Sequence, residues 1–354
     1  MDEKAFSNRE YKIYSTLCGA SIGDALASST DGKSRSEIMK IYGGLVHNFI
    51  KPDDDTAARG RALGQVTDAF SIPYYLLEEI IENEGVIDND VAVNALIKWG
   101  KSEYFEQFAG MTTRKVVNLL NMRDSTDFWS TSGHLGNKLF KGHFYALSSN
   151  GAACKAIATG IINNEQINDV ILNTKTITMT SHDDRLSISG ACAVATAIAI
   201  AEAFQEQSTV FSVVQKSLYG AQKGYQLALD DDMVNDYPGP SIYKRIKIAQ
   251  QIALKNYNSD VAVDELRDII GCGPEIAETV PTAIGLVIAR KNNPIQAIFD
   301  AVNIGDETCA ISTIVGAIIG ALHGATIFSE EWIDIVEKQN DFRLERLSKS
   351  LSNI

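Results

Sequence analysis

Four short polar clusters carry the side chains that could do chemistry. The stretch GASIGDALASSTD, residues 19–31, ends in Asp31, and GQVTDAF, 64–70, sets Thr67 and Asp68 just ahead of a predicted helix. SSNGAACKA, 148–156, puts Ser149, Asn150 and Gly151 before another, and NIGDETCA, 303–310, carries Gly305, Asp306, Glu307 and Thr308. Carboxylates gathered at helix starts can activate a water, steady a developing positive charge or bind a hard cation. Backbone N–H groups at a helix start can receive a phosphate. Ser, Thr, Asp and Asn are also the ordinary helix-capping residues, so each cluster taken alone reads first as a cap.

The elements that must position these clusters are helical. Apolar residues recur at helical spacing over 9–29, 69–83, 91–99, 112–120, 151–162, 164–174, 186–206, 209–228, 241–254, 262–270, 280–291, 294–302 and 308–327. Strands are expected only at 44–50 and 60–66, around the Asp53, Asp54, Asp55 turn. Segments 186–206 and 308–327 are rich in Ala, Ser and Gly, which lets helix axes approach closely, so the two are expected side by side at the centre. Residues 309–328 reach the length of a membrane span. Their Ser, two Thr and His, and the lack of a basic flank, assign them instead to a buried core helix. No linker divides the 354 residues, so a single all-α domain over 1–354 is expected.

A net charge of −13 works against nucleic acid and anionic membranes as partners. The five cysteines form no CxxC pair, and MDEKAFSNREYK at the start has no signal-peptide apolar core, so reduced thiols in a cytoplasmic protein are expected.

Taken in order, GDA…D, VTD, SNGAA, TSH, ETVP and NIGDET…GAIIGALHG resemble the ADP-ribosylglycohydrolase family from about residue 15 to residue 327. The resemblance implies a single-domain orthogonal helical bundle with a cleft, often holding two Mg²⁺ or Mn²⁺ ions, and hydrolysis of a ribosyl bond. Breaking such a bond passes through an oxocarbenium-like state, for which a carboxylate activates water or offsets charge. Hard cations would fix the ribose hydroxyls.

Several positions depart from the family pattern. Its Glu after the GDA turn is Asp31, and its T-D-D-T is Thr67-Asp68-Ala69-Phe70. Its G-G-D-T-D-T is Gly305-Asp306-Glu307-Thr308-Cys309-Ala310, so a second carboxylate becomes Cys309 and a hydroxyl becomes Ala310. The usual binuclear site therefore cannot be built, and at most one weakly held Mg²⁺ or Mn²⁺, or none, is expected at Asp31, Thr67, Asp68 and Glu307. The resemblance assigns Asp31, Asp68 and Glu307 to catalysis. It assigns Ser149, Asn150, Gly151, His182, Gly305 and Asp306 to a riboside or ADP-ribosylated small-molecule substrate. The alternative is a catalytically inactive ligand-binding or structural protein on the same fold.

Other residues have plainer readings. Asp53 to Thr56 suit a solvated turn, Asp183 and Asp184 a helix cap, and His323, Cys309, Trp99 and Tyr74 core positions. Trp129 suits the core or a stacking role, and His47, His134 and His143 have no partner spacing.

Overall fold

Small residues decide which helices meet. A computed structural model describes residues 7–54, 58, 60–121, 148–162, 166–203 and 208–354. Among these are seventeen α-helices and no strand. The first six are α1 (Asn8–Ala27), α2 (Arg35–Tyr42), α3 (Asp68–Glu82), α4 (Asn89–Trp99), α5 (Glu103–Phe108) and α6 (Met111–Asn121). Then come α7 (Gly151–Ile162), α8 (Ile167–Met179), α9 (Arg185–Ala203) and α10 (Val210–Leu229). The last are α11 (Ile242–Lys255), α12 (Asp260–Glu265), α13 (Ile276–Ala289), α14 (Pro294–Asn303), α15 (Thr308–His323), α16 (Glu330–Asn340) and α17 (Leu344–Ser352). One apolar cluster joins them, from Ile13 on α1 to Leu351 on α17.

The glycine helix α15 packs chiefly on α1. A Cβ at Gly316 would lie 2.0 Å from the Gly19 carbonyl oxygen, and one at Gly19 would lie 2.1 Å from that of Gly316. Gly23 meets Ser312 and Gly320 meets Ser15 in the same way, at 2.2 and 2.1 Å. The expected central pair, α9 and α15, is buried and does touch, but each helix packs mainly on another. Helix α9 spends its small residues on α10 and α7, where Gly220 sits against Cys192 and Gly160 against Ala195. Window Arg185–Glu202 is long and apolar enough to cross a membrane, but 89% of it is buried inside the protein, as a core helix would be.

Neither expected strand forms. The backbone at 44–50 is held by one side chain: Asn303 accepts from the Val46 N–H (2.7 Å) and donates to the Val46 carbonyl (2.8 Å). Asn340 does the same near 60–66, accepting from Val66 N–H at 3.0 Å and donating to Gly64 at 2.9 Å. Two amide side chains supply the pairing that a neighbouring strand would have supplied. Asp55, Thr56, Trp129, His134 and His143 lie outside the described residues.

Candidate active site

The site is assembled where the end of α1 meets the starts of α3, α7 and α15. After α1 ends, the Asp31 N–H donates to the Ala27 carbonyl (3.0 Å), and Gly32 takes φ +74°. That left-handed turn, open to glycine without strain, points the chain at the 305–308 turn. There the Gly32 N–H donates to Asp306 (2.8 Å) and the Asp306 N–H to Lys33 (2.9 Å). Thus stitched, the Asp31 carboxylate accepts from the Cys309 N–H at 3.0 Å and sits on the positive end of α15.

Asp24 fixes the second element. It is fully buried inside α1 and accepts from the Thr67 N–H (2.9 Å), the Thr67 hydroxyl (2.7 Å) and the Phe70 N–H (3.0 Å). Thr67 also caps α3 by accepting from the Ala69 N–H at 3.2 Å, so Asp68 is the first residue of that helix. On the third element, Asn150 donates its side-chain amide to Glu307 at 3.0 Å.

Asp31, Thr67, Asp68, Ser149, Asn150, Gly151 and Glu307 line one cavity of about 340 Å³. Phe108 and Met111 add apolar surface to it, and Ala69, Cys309 and Ala310 form part of the same wall. Burial pushes Asp24 and Asp31 each up to about 6, and the Cys309 N–H pulls Asp31 partly back. Glu307 rises to about 7 through burial and then through the Asp31 charge. Asp68 is held well above the carboxylate range by burial and by the charges of Asp24, Glu307 and Asp31. Burial thus raises all four carboxyls toward neutrality, and three of them, Asp31, Asp68 and Glu307, line the cavity. Burial keeps the Cys309 thiol protonated, with the surrounding carboxylates adding to the effect, which suits a wall residue and not a nucleophile.

The family model described as ADP-ribosylglycohydrolase matches residues 6–353. The chain belongs to the ADP-ribosylglycohydrolase family. It is 22% identical to the uncharacterized protein YegU of Escherichia coli K12, with 96% of each chain covered. It is 24% identical to an uncharacterized protein of Archaeoglobus fulgidus, covering 97% of this chain and 96% of that one. A solved structure titled "ADP-ribosylglycohydrolase-related protein complex" shares the fold, with a TM-score of 0.63, 15% identity, and 98% and 99% coverage.

A binuclear metal centre of the family's kind does not fit this chain. Two methyl groups and a protonated thiol stand on the cavity wall where the family pattern has ligands, and a thiol is a poor partner for Mg²⁺. Among the described residues, no three His, Cys, Asp or Glu side chains gather closely enough to hold an ion. Asp31, Asp68 and Glu307 therefore share a cavity without forming a three-carboxylate ligand set.

Four other expected site residues are placed differently from the sequence reading. The Asn150 N–H, expected to face an anion, donates to Pro274 at 2.9 Å. His182 is fully buried behind Ser149, with its Nε2 2.8 Å from the Ser149 hydroxyl. Gly305 and Asp306 hold the 31–34 turn and are not among the lining residues described, and Asp306 is exposed. Asp184 caps α9 through the Leu186 and Ser187 N–H groups, as expected, whereas His323 is exposed at the end of α15 and not in the core.

Asp24 is the residue the sequence reading passed over. Its signal was a charge in the last turn of α1, inside the small, apolar stretch CGASIGDALA, where only a paired carboxylate is tolerable.

Proposed function

We propose that this protein hydrolyses N- or O-ribosyl bonds of small ADP-ribosylated or nucleoside-like substrates, in the cavity between α1, α3, α7 and α15. The observation that carries the proposal is that Asp31, Asp68 and Glu307 line one cavity, with burial raising all three and the Asp31 charge raising Asp68 and Glu307 further. Acidic side chains in a half-buried cavity are costly unless used.

In this reading, one ionised carboxylate of the group takes the proton of the attacking water. Its charge, with that of a neighbour, offsets the positive charge building at the ribosyl C1. Asn150 orients Glu307 through its amide, and Asp24 holds Thr67 and the start of α3, and so the position of Asp68. Phe108 and Met111 offer apolar surface to the ring of a base or other aglycone. The cavity is near the lower end of the usual ligand-pocket range, which suits one riboside unit better than a polymer.

At most one Mg²⁺ or Mn²⁺, weakly held at Asp31, Thr67, Asp68 or Glu307, is proposed to accompany the substrate. If bound, it would fix ribose hydroxyls. A cytoplasmic location is proposed from five unpaired, buried cysteines.

The test is release of ribose or ADP-ribose from a panel of ADP-ribosylated peptides, nucleosides and alkyl ribosides. Turnover of at least one class above the no-protein rate supports the hydrolase. Absence of turnover across the panel, with binding of ADP-ribose or a nucleoside retained, would instead support an inactive ligand-binding protein on the same fold.

A further inference from the structure

Behind the cavity wall runs a chain of hydrogen bonds that the carboxylate chemistry does not use. Lys155 on α7 is 2% exposed, and its ammonium donates to the Ser181 hydroxyl. The Ser181 oxygen lies 2.8 Å from His182 Nδ1, and His182 Nε2 lies 2.8 Å from the Ser149 oxygen. Ser149 lines the cavity. Chain geometry fixes the spacing: the His182 N–H donates to Thr178 at 2.8 Å, closing the end of α8 and setting the imidazole against Ser149.

The sense of the chain follows from what each group can donate. A lysine ammonium only donates, so the Ser181 oxygen accepts and its one hydrogen goes on to His182 Nδ1. A neutral imidazole then carries its hydrogen on Nε2, which donates to the Ser149 oxygen. The Ser149 hydrogen is left for the cavity.

We propose that Lys155, Ser181, His182 and Ser149 form a proton wire whose cavity end, the Ser149 hydroxyl, protonates the departing group as the ribosyl bond breaks. The proposal rests on the hydrolase reading above.

The step balances. The C1–N or C1–O bond breaks with its electron pair on the leaving atom, which takes the Ser149 proton. Ser149 takes the Nε2 proton of His182, His182 takes the Ser181 proton at Nδ1, and Ser181 takes one from Lys155, which becomes a neutral amine. Water adds to C1 and gives its proton to the carboxylate group. That proton, returned through Ser149, runs the same path backwards and restores the ammonium.

Two further observations suit Lys155 to this part. Burial lowers Lys155 to about 7, so it gives up a proton near neutrality. Burial, with the Lys155 charge, holds His182 well below its ordinary value, so the imidazole passes protons on and does not store one. In this scheme Ser149 is the catalytic residue, and Lys155, Ser181 and His182 act through it.

The experiment compares wild type, Lys155→Met, Ser181→Ala and Ser181→Thr. Thermal denaturation first establishes that each is folded. Two substrates are used: an aryl riboside, whose leaving group departs without a proton, and an alkyl riboside, whose leaving group needs one. Removing general-acid help typically costs on the order of 10²-fold or more. Lys155→Met and Ser181→Ala should therefore lose that much in kcat on the alkyl riboside, with a loss at least about tenfold smaller on the aryl one. Ser181→Thr, which keeps the hydroxyl, should recover the alkyl rate.

Equal losses on both substrates, or a Ser181→Ala enzyme matching wild type, would overturn the wire. A readout independent of turnover is the imidazole ¹⁵N spectrum of His182. The Nε2–H tautomer is expected in wild type, and an Nδ1–H tautomer would refute the donor sense even if no riboside were cleaved. An Nε2–H tautomer with no cleavage of any riboside would overturn the hydrolase reading, and the wire's catalytic part with it, while leaving the hydrogen-bond chain intact.

Discussion

Asp24 takes three hydrogen bonds from the first turn of α3 while lying wholly inside α1, and Asp68 is placed by that grip. An asparagine there would turn one donor group toward N–H and O–H donors, leaving at least one buried donor unsatisfied. Asp24→Asn is therefore expected to lower stability by about 1–3 kcal/mol, read as a shift in denaturant midpoint without change in slope. The pH dependence of stability in chelator has a definite sign. Asp24 and Asp31 stand at about 6 and Glu307 at about 7, against ordinary values of 3.8, 3.8 and 4.5. The folded state thus holds protons that the unfolded state has released between about pH 4 and 7. Stability from these groups should be greatest at the acid end of that window, fall as pH rises through it, and level off above it. Thermal melts showing stability rising from pH 4 to 7, with these three carboxyls as the difference from an Asn/Gln variant, would contradict the assignment. Sequence reasoning singled out Asp31, Asp68 and Glu307 because they lie in family motifs, and all three line the cavity. It passed over Asp24 and the wire because neither a three-fold acceptor nor a Lys–Ser–His–Ser path has a signature in spacing.

Helix starts and helix contacts carry the site, and they were unevenly legible. Long helices such as α1, α7, α10 and α15 show their period over many residues, and α7 lies at 151–162 as expected. The short helices α2, α5 and α17 offer few turns to register, whereas α16, as long as α4 and α6, was passed over despite its length. Even so, Ser34 and Glu37 form a capping box that S-R-S-E could have announced. Residues 44–50 and 60–66 were expected as strands flanking the Asp53, Asp54, Asp55 turn, but Asn303 and Asn340 bond to their backbones instead. The main partner of α15 was missed because two helices rich in small residues were matched by composition, whereas Gly19 of α1 meets Gly316 of α15, with Gly23 and Gly320 set against Ser312 and Ser15. Gly316→Ala puts a methyl group about where the Gly19 carbonyl oxygen is, at 2.0 Å, with backbone on both sides. It should cost on the order of 1–3 kcal/mol or more by forcing α1 and α15 apart, measured by thermal unfolding. Because Asp24 and Cys309 ride on those two helices, the same change should also weaken ligand binding in the cavity. A variant with unchanged melting temperature would mean that the two helices are not in contact at that point.

At the scale of the whole molecule, the family bundle was legible from the order of its motifs across most of the chain, and the departures from those motifs fall on one cavity wall. Ala69 comes from α3, and Cys309 and Ala310 from α15, so regaining a second ion requires changes on two helices at once. Calorimetric titration with Mg²⁺ should show at most one weak site in the unmodified protein. The triple change Ala69→Asp, Cys309→Asp, Ala310→Thr should add a site, whereas two micromolar sites per chain in the unmodified protein would mean that the ligand count is wrong. The claim on which the rest depends is that the carboxylate cavity breaks ribosyl bonds. Its most direct measurement is the rate of ribose or ADP-ribose release by wild type and by Asp68→Asn, on whichever substrate of the panel wild type turns over. We expect wild type to release product and Asp68→Asn to fall by about 10²-fold or more, with its fold intact by thermal denaturation. Equal rates in the two proteins would contradict the claim.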